Sequence, residues 1–137
     1  MNIEKLKREL IRDEGSRSTV YDCPAGKRTI GVGRNLEDNG LSEDEISMLL
    51  ENDIENCRKQ LLEHVPVFEF MNDSRQRVLL NMCFNMGIAG LKKFKRMFAA
   101  LAGKDFSAAS REMMDSRWAE QVGKRADRLS KMMREGE

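Results

Sequence analysis

Two residues near the start of the chain have the types and the spacing that acid catalysis on a polymer requires. Glu14 stands at the predicted end of a short amphipathic helix, and Thr29 follows fifteen residues later, after a Cys-Pro-Ala-Gly turn. A carboxyl group at a helix end can protonate a leaving oxygen, and a hairpin opposite it can hold a water. Glycines beside Thr29 let a polymer lie close to the backbone. This combination is typical of glycoside hydrolysis, although a glutamate in a charged stretch is more often a solvated surface residue.

Local patterns predict the helix and the hairpin that position these residues. Apolar residues at helical spacing mark the first helix: Ile3, Leu6, Leu10 and Ile11. This helix is expected to end near Gly15, because glycine readily takes the left-handed conformation of a helix cap. Strands are predicted at residues 19–21 and 28–32, joined by a turn at residues 23–26 that has proline early and glycine late.

The rest of the chain is predicted to be helical. Ser42 and Glu45 have the spacing of a capping box, and a long amphipathic helix follows as far as Pro66. From Asp73 onward the apolar residues again recur at helical spacing. Breaks between these later helices are expected at Gly87, Gly103 and Gly123. The predicted fold class is therefore α+β and mostly helical, with a small β-hairpin lobe joined by a long helix to a helical lobe.

Composition and charge limit the classes of function. With 137 residues, 40% of them hydrophobic, the chain suffices for one domain with a real core. The formal charge is only +1 and no nucleic-acid-reading motif is present, so a nucleic-acid partner is not expected. Through Asn72 there are 10 Lys/Arg against 15 Asp/Glu, and from Asp73 onward 14 against 8. The basic second part suits an anionic polymer, although solvated helix faces give the same asymmetry.

The cysteines and the hydropathy of the chain indicate whether it binds a metal and in which compartment it is made. Three scattered cysteines and a single histidine, His64, do not make a plausible zinc site, and we expect no metal and no cofactor. The odd number of cysteines favours a reducing compartment. No apolar run reaches the roughly 18 residues of a membrane span, and residues 1–9 lack the apolar core of a signal peptide. We therefore expect cytoplasmic synthesis without stable membrane insertion, and we take a monomer as the working state.

Several short motifs occur in the order in which they occur in a known family. They are Arg12–Gly15, Tyr21, Thr29–Gly33, Asn81–Gly87, Ser116–Trp118 and Lys124–Ala126. Together they resemble the T-even-type phage lysozymes, or endolysins, of glycoside hydrolase family 24, and the likeness covers nearly the whole chain. The resemblance implies one lysozyme-like domain over residues 1–137. Its front lobe would span about residues 12–60 with the hairpin at 19–33, and its helical lobe about 61–137 together with the N-terminal helix 2–13.

The family's catalytic signature is Glu, eight residues, Asp or Cys, five residues, then Thr, and Glu14, Cys23 and Thr29 fall on these positions. The resemblance implies hydrolysis of the β-1,4 bond between N-acetylmuramic acid and N-acetylglucosamine in peptidoglycan. Glu14 would protonate the leaving oxygen, and Cys23 and Thr29 would position or activate the water. An incidental thiol at Cys23 and a simple strand former at Thr29 are the competing interpretations.

The resemblance also implies residues that contact the substrate or orient the acid. Candidate substrate contacts are Gly33, Phe84, Asn85 and Phe94. Arg125 would return to pair with Glu14, unless it is one more cation on an exposed helix face. Trp118 is interpreted as a core anchor. Arg34 departs from the family, which has histidine after the glycine, so that histidine's ion pair is expected to be absent.

In biological terms the resemblance implies lysis of a bacterial host by a phage. The enzyme would accumulate in the host cytoplasm and reach peptidoglycan, its polymeric partner, after a holin opens the inner membrane. Two alternatives stay open. One is a peptidoglycan-binding or phage-structural module without turnover, and the other is a lytic transglycosylase, which forms an anhydro sugar instead of consuming water.

Overall fold

The first helix of the chain ends at the candidate acid. In the computed structural model, which describes all 137 residues, α1 spans Ile3–Glu14. Its N-terminus is capped by the Asn2 side chain, which accepts a hydrogen bond from the Lys5 N–H at 3.0 Å. Gly15 ends it with φ +78°, a conformation that glycine adopts without steric cost. The predicted helix end is therefore confirmed. Its apolar residues are exposed, with relative accessibilities of 37–48%.

A three-stranded antiparallel sheet follows, with strand order β1-β2-β3. Its strands are β1 (Arg17–Asp22), β2 (Arg28–Gly31) and β3 (Arg34–Asn35). The predicted hairpin is confirmed as β1 and β2, in which Tyr21 pairs with Thr29. Its turn is closed by a hydrogen bond of 2.7 Å from the Gly26 N–H to the Cys23 carbonyl. The third strand was not predicted, because two residues are too few to show an alternating pattern.

Two helices complete the first part of the chain. A single helical turn, α2 (Leu36–Asn39), was also too short to be predicted. The long helix α3 spans Glu43–His64, and its capping box is confirmed. The Ser42 hydroxyl accepts from the Glu45 N–H at 3.2 Å, and the Glu45 carboxylate accepts from the Ser42 N–H at 2.8 Å.

The structure divides into two compact units, Met1–Met48 and Leu49–Glu137. The boundary falls within α3. The first unit contains α1, the sheet and α2, whereas the sequence-based scheme groups the N-terminal helix with the helical lobe. That lobe assignment stays a prediction.

The second unit is helical. After a 3-10 turn at Phe68–Phe70, its helices are α4 (Asp73–Leu91), α5 (Lys95–Ala102), α6 (Phe106–Met114), α7 (Arg117–Val122) and α8 (Lys124–Glu135). Helix α6 packs against both α5 and α8. The predicted break at Gly87 appears as a kink within α4, where φ is +78°. The fold class, α+β and mostly helical, is confirmed.

The hydrophobic core lies in this second unit. Its fully buried large side chains include Leu61, Leu79, Met82, Leu91, Met97, Leu101, Met113 and Met133. These residues come from α3, α4, α5, α6 and α8, so one core joins five helices. None of the helices combines the length and the apolar character needed to cross a membrane.

Candidate active site

Glu14 and Gly33 are brought together within the first unit. Glu14 is exposed at the end of α1, and Gly33 lies in the turn between β2 and β3 with φ +69°. A Cβ atom placed on Gly33 would lie 2.9 Å from Oε2 of Glu14 and 3.2 Å from its Cδ. The carboxyl group therefore rests against a position that only glycine can occupy without displacing it. The turn backbone forms one wall of the acid's surroundings.

Cys23 and Thr29 converge at the base of the hairpin turn. The Thr29 hydroxyl donates to the Lys27 carbonyl at 2.8 Å, and the Cys23 N–H donates to the same carbonyl at 2.9 Å. Thr29 is 2% exposed, whereas Cys23 is half-buried. Both donors therefore meet at one carbonyl oxygen. Two of the three residues of the family signature are thus neighbours.

The hairpin turn favours the thiolate form of Cys23. A hydrogen bond from the Lys27 backbone lowers the pKa of the Cys23 thiol; partial burial opposes this effect, and the Ala25 backbone and the Thr29 hydroxyl add to it. A lowered pKa gives a larger thiolate fraction near neutral pH. The thiolate is a better proton acceptor than the thiol, so this environment suits a group that holds or activates water.

Behind the Gly33 turn, Arg34 makes an ion pair of its own. Its Nη1 donates to Oε1 of Glu45 at 2.7 Å and to the Gly40 carbonyl at 3.1 Å. The Arg34 guanidinium, with help from the Ser42 N–H, lowers the pKa of Glu45 to about 2. The pair borders a recess of about 470 Å³ that is also lined by the Gly31–Gly33 turn. The partner of Arg34 therefore lies in the first turn of α3.

In the second unit, Phe84 and Arg125 line one groove. The groove has a volume of about 650 Å³ and a mostly apolar lining that includes Leu80 and Leu129. Phe84 is 46% exposed, so its ring is available to a ligand. Arg125 donates from Nε to the Asn81 side chain at 2.9 Å. Its pairing with Glu14 would join the two units and stays a prediction.

Asn85 and Phe94 both support Trp118. The Trp118 Nε1–H donates to Oδ1 of Asn85 at 2.9 Å, and the Phe94 ring meets the indole edge-to-face with centroids 6.2 Å apart. Trp118 is 6% exposed, in agreement with its interpretation as a core anchor. The roles of Asn85 and Phe94 as substrate contacts stay predictions. Each has a structural role in holding the indole.

Sequence reasoning missed two polar partners in these sites. The sequence marks Glu45 only as a helix cap. Arg34 lies eleven residues before it, and no local pattern indicates that the two side chains meet. Asn81 was noted as part of a motif, but its hydrogen bonds to Arg125 span 44 residues. Such pairings depend on tertiary packing, which a single sequence does not reveal.

A small antiparallel sheet, a long helix and a helical core, with a carboxylic acid at the end of the first helix, define a lysozyme-like α+β protein. Residues 12–136 match the phage lysozyme family, and the chain belongs to that family. Membership supports a lysozyme-like function and glycoside hydrolase activity in general.

Individual relatives fall into two kinds. The pre-baseplate central spike protein Gp5 of Enterobacteria phage T4 is 31% identical over 93% of this chain, which spans only 27% of that protein. Two probable T4-type lysozymes of Dictyostelium discoideum, numbered 2 and 1, are 24% and 23% identical. Each of these covers 98% of this chain, and the match takes in 96% of each relative. The chain is therefore similar to two probable lysozymes over nearly their full length and to one part of a pre-baseplate central spike protein.

Proposed function

We propose that the chain is a muramidase that hydrolyses the β-1,4 bond between N-acetylmuramic acid and N-acetylglucosamine in peptidoglycan. The observation that carries the proposal is the meeting of Glu14 with Gly33, which holds a carboxyl group at a helix end beside an open glycine turn. Gly31 and Gly33 have no side chains of their own, so a glycan strand would be able to lie close to their backbone beside Glu14. Glu14 would protonate the glycosidic oxygen as the bond breaks.

We assign the activation of the attacking water to residues of the hairpin. Inverting glycosidases activate a water on the face of the sugar opposite the acid. Cys23 in its thiolate form, favoured because the turn backbone lowers the pKa of the thiol, would accept a proton from that water and become a thiol, and the Thr29 hydroxyl would help to orient the water. A water held at this position would favour hydrolysis over the anhydro product of a transglycosylase.

The proposal is tested on purified peptidoglycan with the wild-type chain and the Glu14→Gln variant. We expect released muropeptides with reducing ends, detected by liquid chromatography and mass spectrometry. The rate should fall at least about a hundredfold in Glu14→Gln, the scale of a lost general acid. Asp13→Asn is the matched control, because it removes the adjacent exposed carboxylate. It should keep wild-type activity.

Other products would contradict the proposal. Anhydro-muropeptides from the wild type would identify a transglycosylase. Binding to peptidoglycan without any release would identify a binding module. Equal loss in Asp13→Asn and Glu14→Gln would mean that Glu14 has no special role.

We further propose host lysis as the setting, with synthesis in the host cytoplasm and release through a holin-permeabilised membrane. The similarity to Gp5 favours a second candidate, in which the chain serves as a wall-cutting module of the phage particle. Quantitative immunodetection during infection separates the two settings. Host lysis requires the chain in the soluble fraction of the infected cell, whereas a particle module must copurify with virions in a fixed ratio to capsid protein.

A further inference from the structure

The turn that faces Glu14 is held from behind by a polar network. Arg34 is the first residue after the Gly31–Gly33 turn and pairs with Ile30 across β2 and β3. Its Nη1 bonds both the Gly40 carbonyl and the Glu45 carboxylate. One guanidinium nitrogen therefore ties the hairpin to the end of α2 and to the first turn of α3.

The acceptor of this network is itself fixed. The Glu45 carboxylate that accepts from Arg34 also accepts from the Ser42 N–H, and the Glu45 N–H is held by the Ser42 hydroxyl. An ionised pair of this geometry is stronger than a neutral hydrogen bond. The side chains of Arg34 and Glu45 are 40% and 34% exposed, so solvent weakens their Coulombic attraction.

Gly33 is covalently next to Arg34. Because the peptide bond is planar, a displacement of Arg34 moves the Gly33 backbone as well. Gly33 lies so close to Glu14 that even a methyl group would reach 2.9 Å from Oε2. We propose that Arg34 and Glu45 are a positioning pair, which holds Gly33 against Glu14 and so limits the orientations of the acid's carboxyl group. This inference rests on the proposed function, in which Glu14 is the acid.

The test compares Arg34→Met with Ser42→Ala. Arg34→Met removes the donor and keeps a long side chain, so the turn loses its tie to α3. Ser42→Ala removes the hydroxyl that caps the Glu45 N–H and destabilises α3, but it keeps the backbone N–H that bonds the Glu45 carboxylate, so we expect the Arg34–Glu45 bond to persist. Both variants should melt at a lower temperature than the wild type. Misplacement of a catalytic group lowers turnover, so we expect kcat to fall about tenfold in Arg34→Met alone, with KM within about twofold.

Arg34→Lys keeps the charge but replaces the planar fork with a single ammonium. It should give a kcat between those of the wild type and Arg34→Met. If Arg34→Met does not fold, a wild-type kcat in Arg34→Lys overturns the inference. Equal kcat in Arg34→Met and Ser42→Ala, measured well below both melting temperatures, overturns it too. A wild type that releases no reducing-end products would instead contradict the proposed function itself.

Discussion

At the scale of single residues, the carboxyl group of Glu14 lies beside Gly33, within reach of any side chain placed there. Gly31 and Gly33 flank the same turn and have nearly equal positive φ values, +68° and +69°. They differ in their surroundings. A Cβ on Gly31 meets no atom within 4 Å, whereas a Cβ on Gly33 reaches the Glu14 carboxyl group. Substitutions at the two glycines therefore distinguish the effect of backbone strain from the effect of contact with Glu14.

We expect Gly33→Ala to lower kcat by at least about tenfold, because its methyl group displaces the carboxyl group of Glu14. Gly31→Ala carries a similar strain of roughly 1–2 kcal/mol, the cost of a left-handed conformation for an L-residue, without the contact. Calorimetry should show comparable losses of stability in the two variants. Turnover of peptidoglycan should fall in Gly33→Ala only; equal turnover would mean that the contact does not matter.

The cysteines differ in reactivity for reasons that are also local. The turn backbone lowers the pKa of Cys23, whereas burial, followed by contact with Cys57, raises the pKa of Cys83 to about 12. At pH 7.5 Cys23 therefore has the larger thiolate fraction, and the thiolate is the reactive form. We expect iodoacetamide to modify Cys23 at least about ten times faster than Cys83, measured by peptide mass spectrometry. In urea this difference should vanish; equal rates in the folded protein would contradict the proposed environment of Cys23.

At the scale of elements, the sequence predicted a helix end correctly where a capping residue marks it. Gly15 and the Ser42–Glu45 capping box ended and began helices as predicted. Elements of two to four residues, namely β3, the 3-10 turn and α2, escaped prediction because they are too short for a hydrophobic pattern to repeat within them. The position of Glu14 followed from a local helix end. The Arg34–Glu45 pair did not, because its partners meet only in the folded chain.

The packing of the second half of helix α3 can be tested with two neighbouring leucines. Leu61 is fully buried in the core of the second unit, and its neighbour Leu62 is 41% exposed. We expect Leu61→Ala to lower the free energy of unfolding by about 2–5 kcal/mol, because it loses apolar contacts and leaves a cavity. Leu62→Ala should change it by roughly 0.5 kcal/mol or less. Urea denaturation measures both, and equal effects would show that α3 does not pack on this face.

At the scale of the whole molecule, the charge distribution matters more than the net charge. The chain carries only +1 overall, yet it is −5 through Asn72 and +6 from Asp73 onward, with 10 against 15 and 14 against 8 basic and acidic residues. Peptidoglycan, the substrate of the proposed function, carries acidic peptides, so a basic region would raise its local concentration near the protein. Such attraction acts on binding and is screened by salt, since the Debye length is about 8 Å at 0.15 M ionic strength.

We therefore expect KM for intact peptidoglycan to rise several-fold between about 0.03 and 0.3 M NaCl, while kcat changes little. Screening would weaken the encounter with the acidic polymer but should leave the chemistry proposed for Glu14 unchanged. Glycan strands stripped of their peptides by an amidase are the matched substrate, because they keep the scissile bond and lose the acidic peptides. Their KM should respond far less to salt. A similar salt response on both substrates would mean that the basic region does not recognise the peptides and that its charges only solvate the helices.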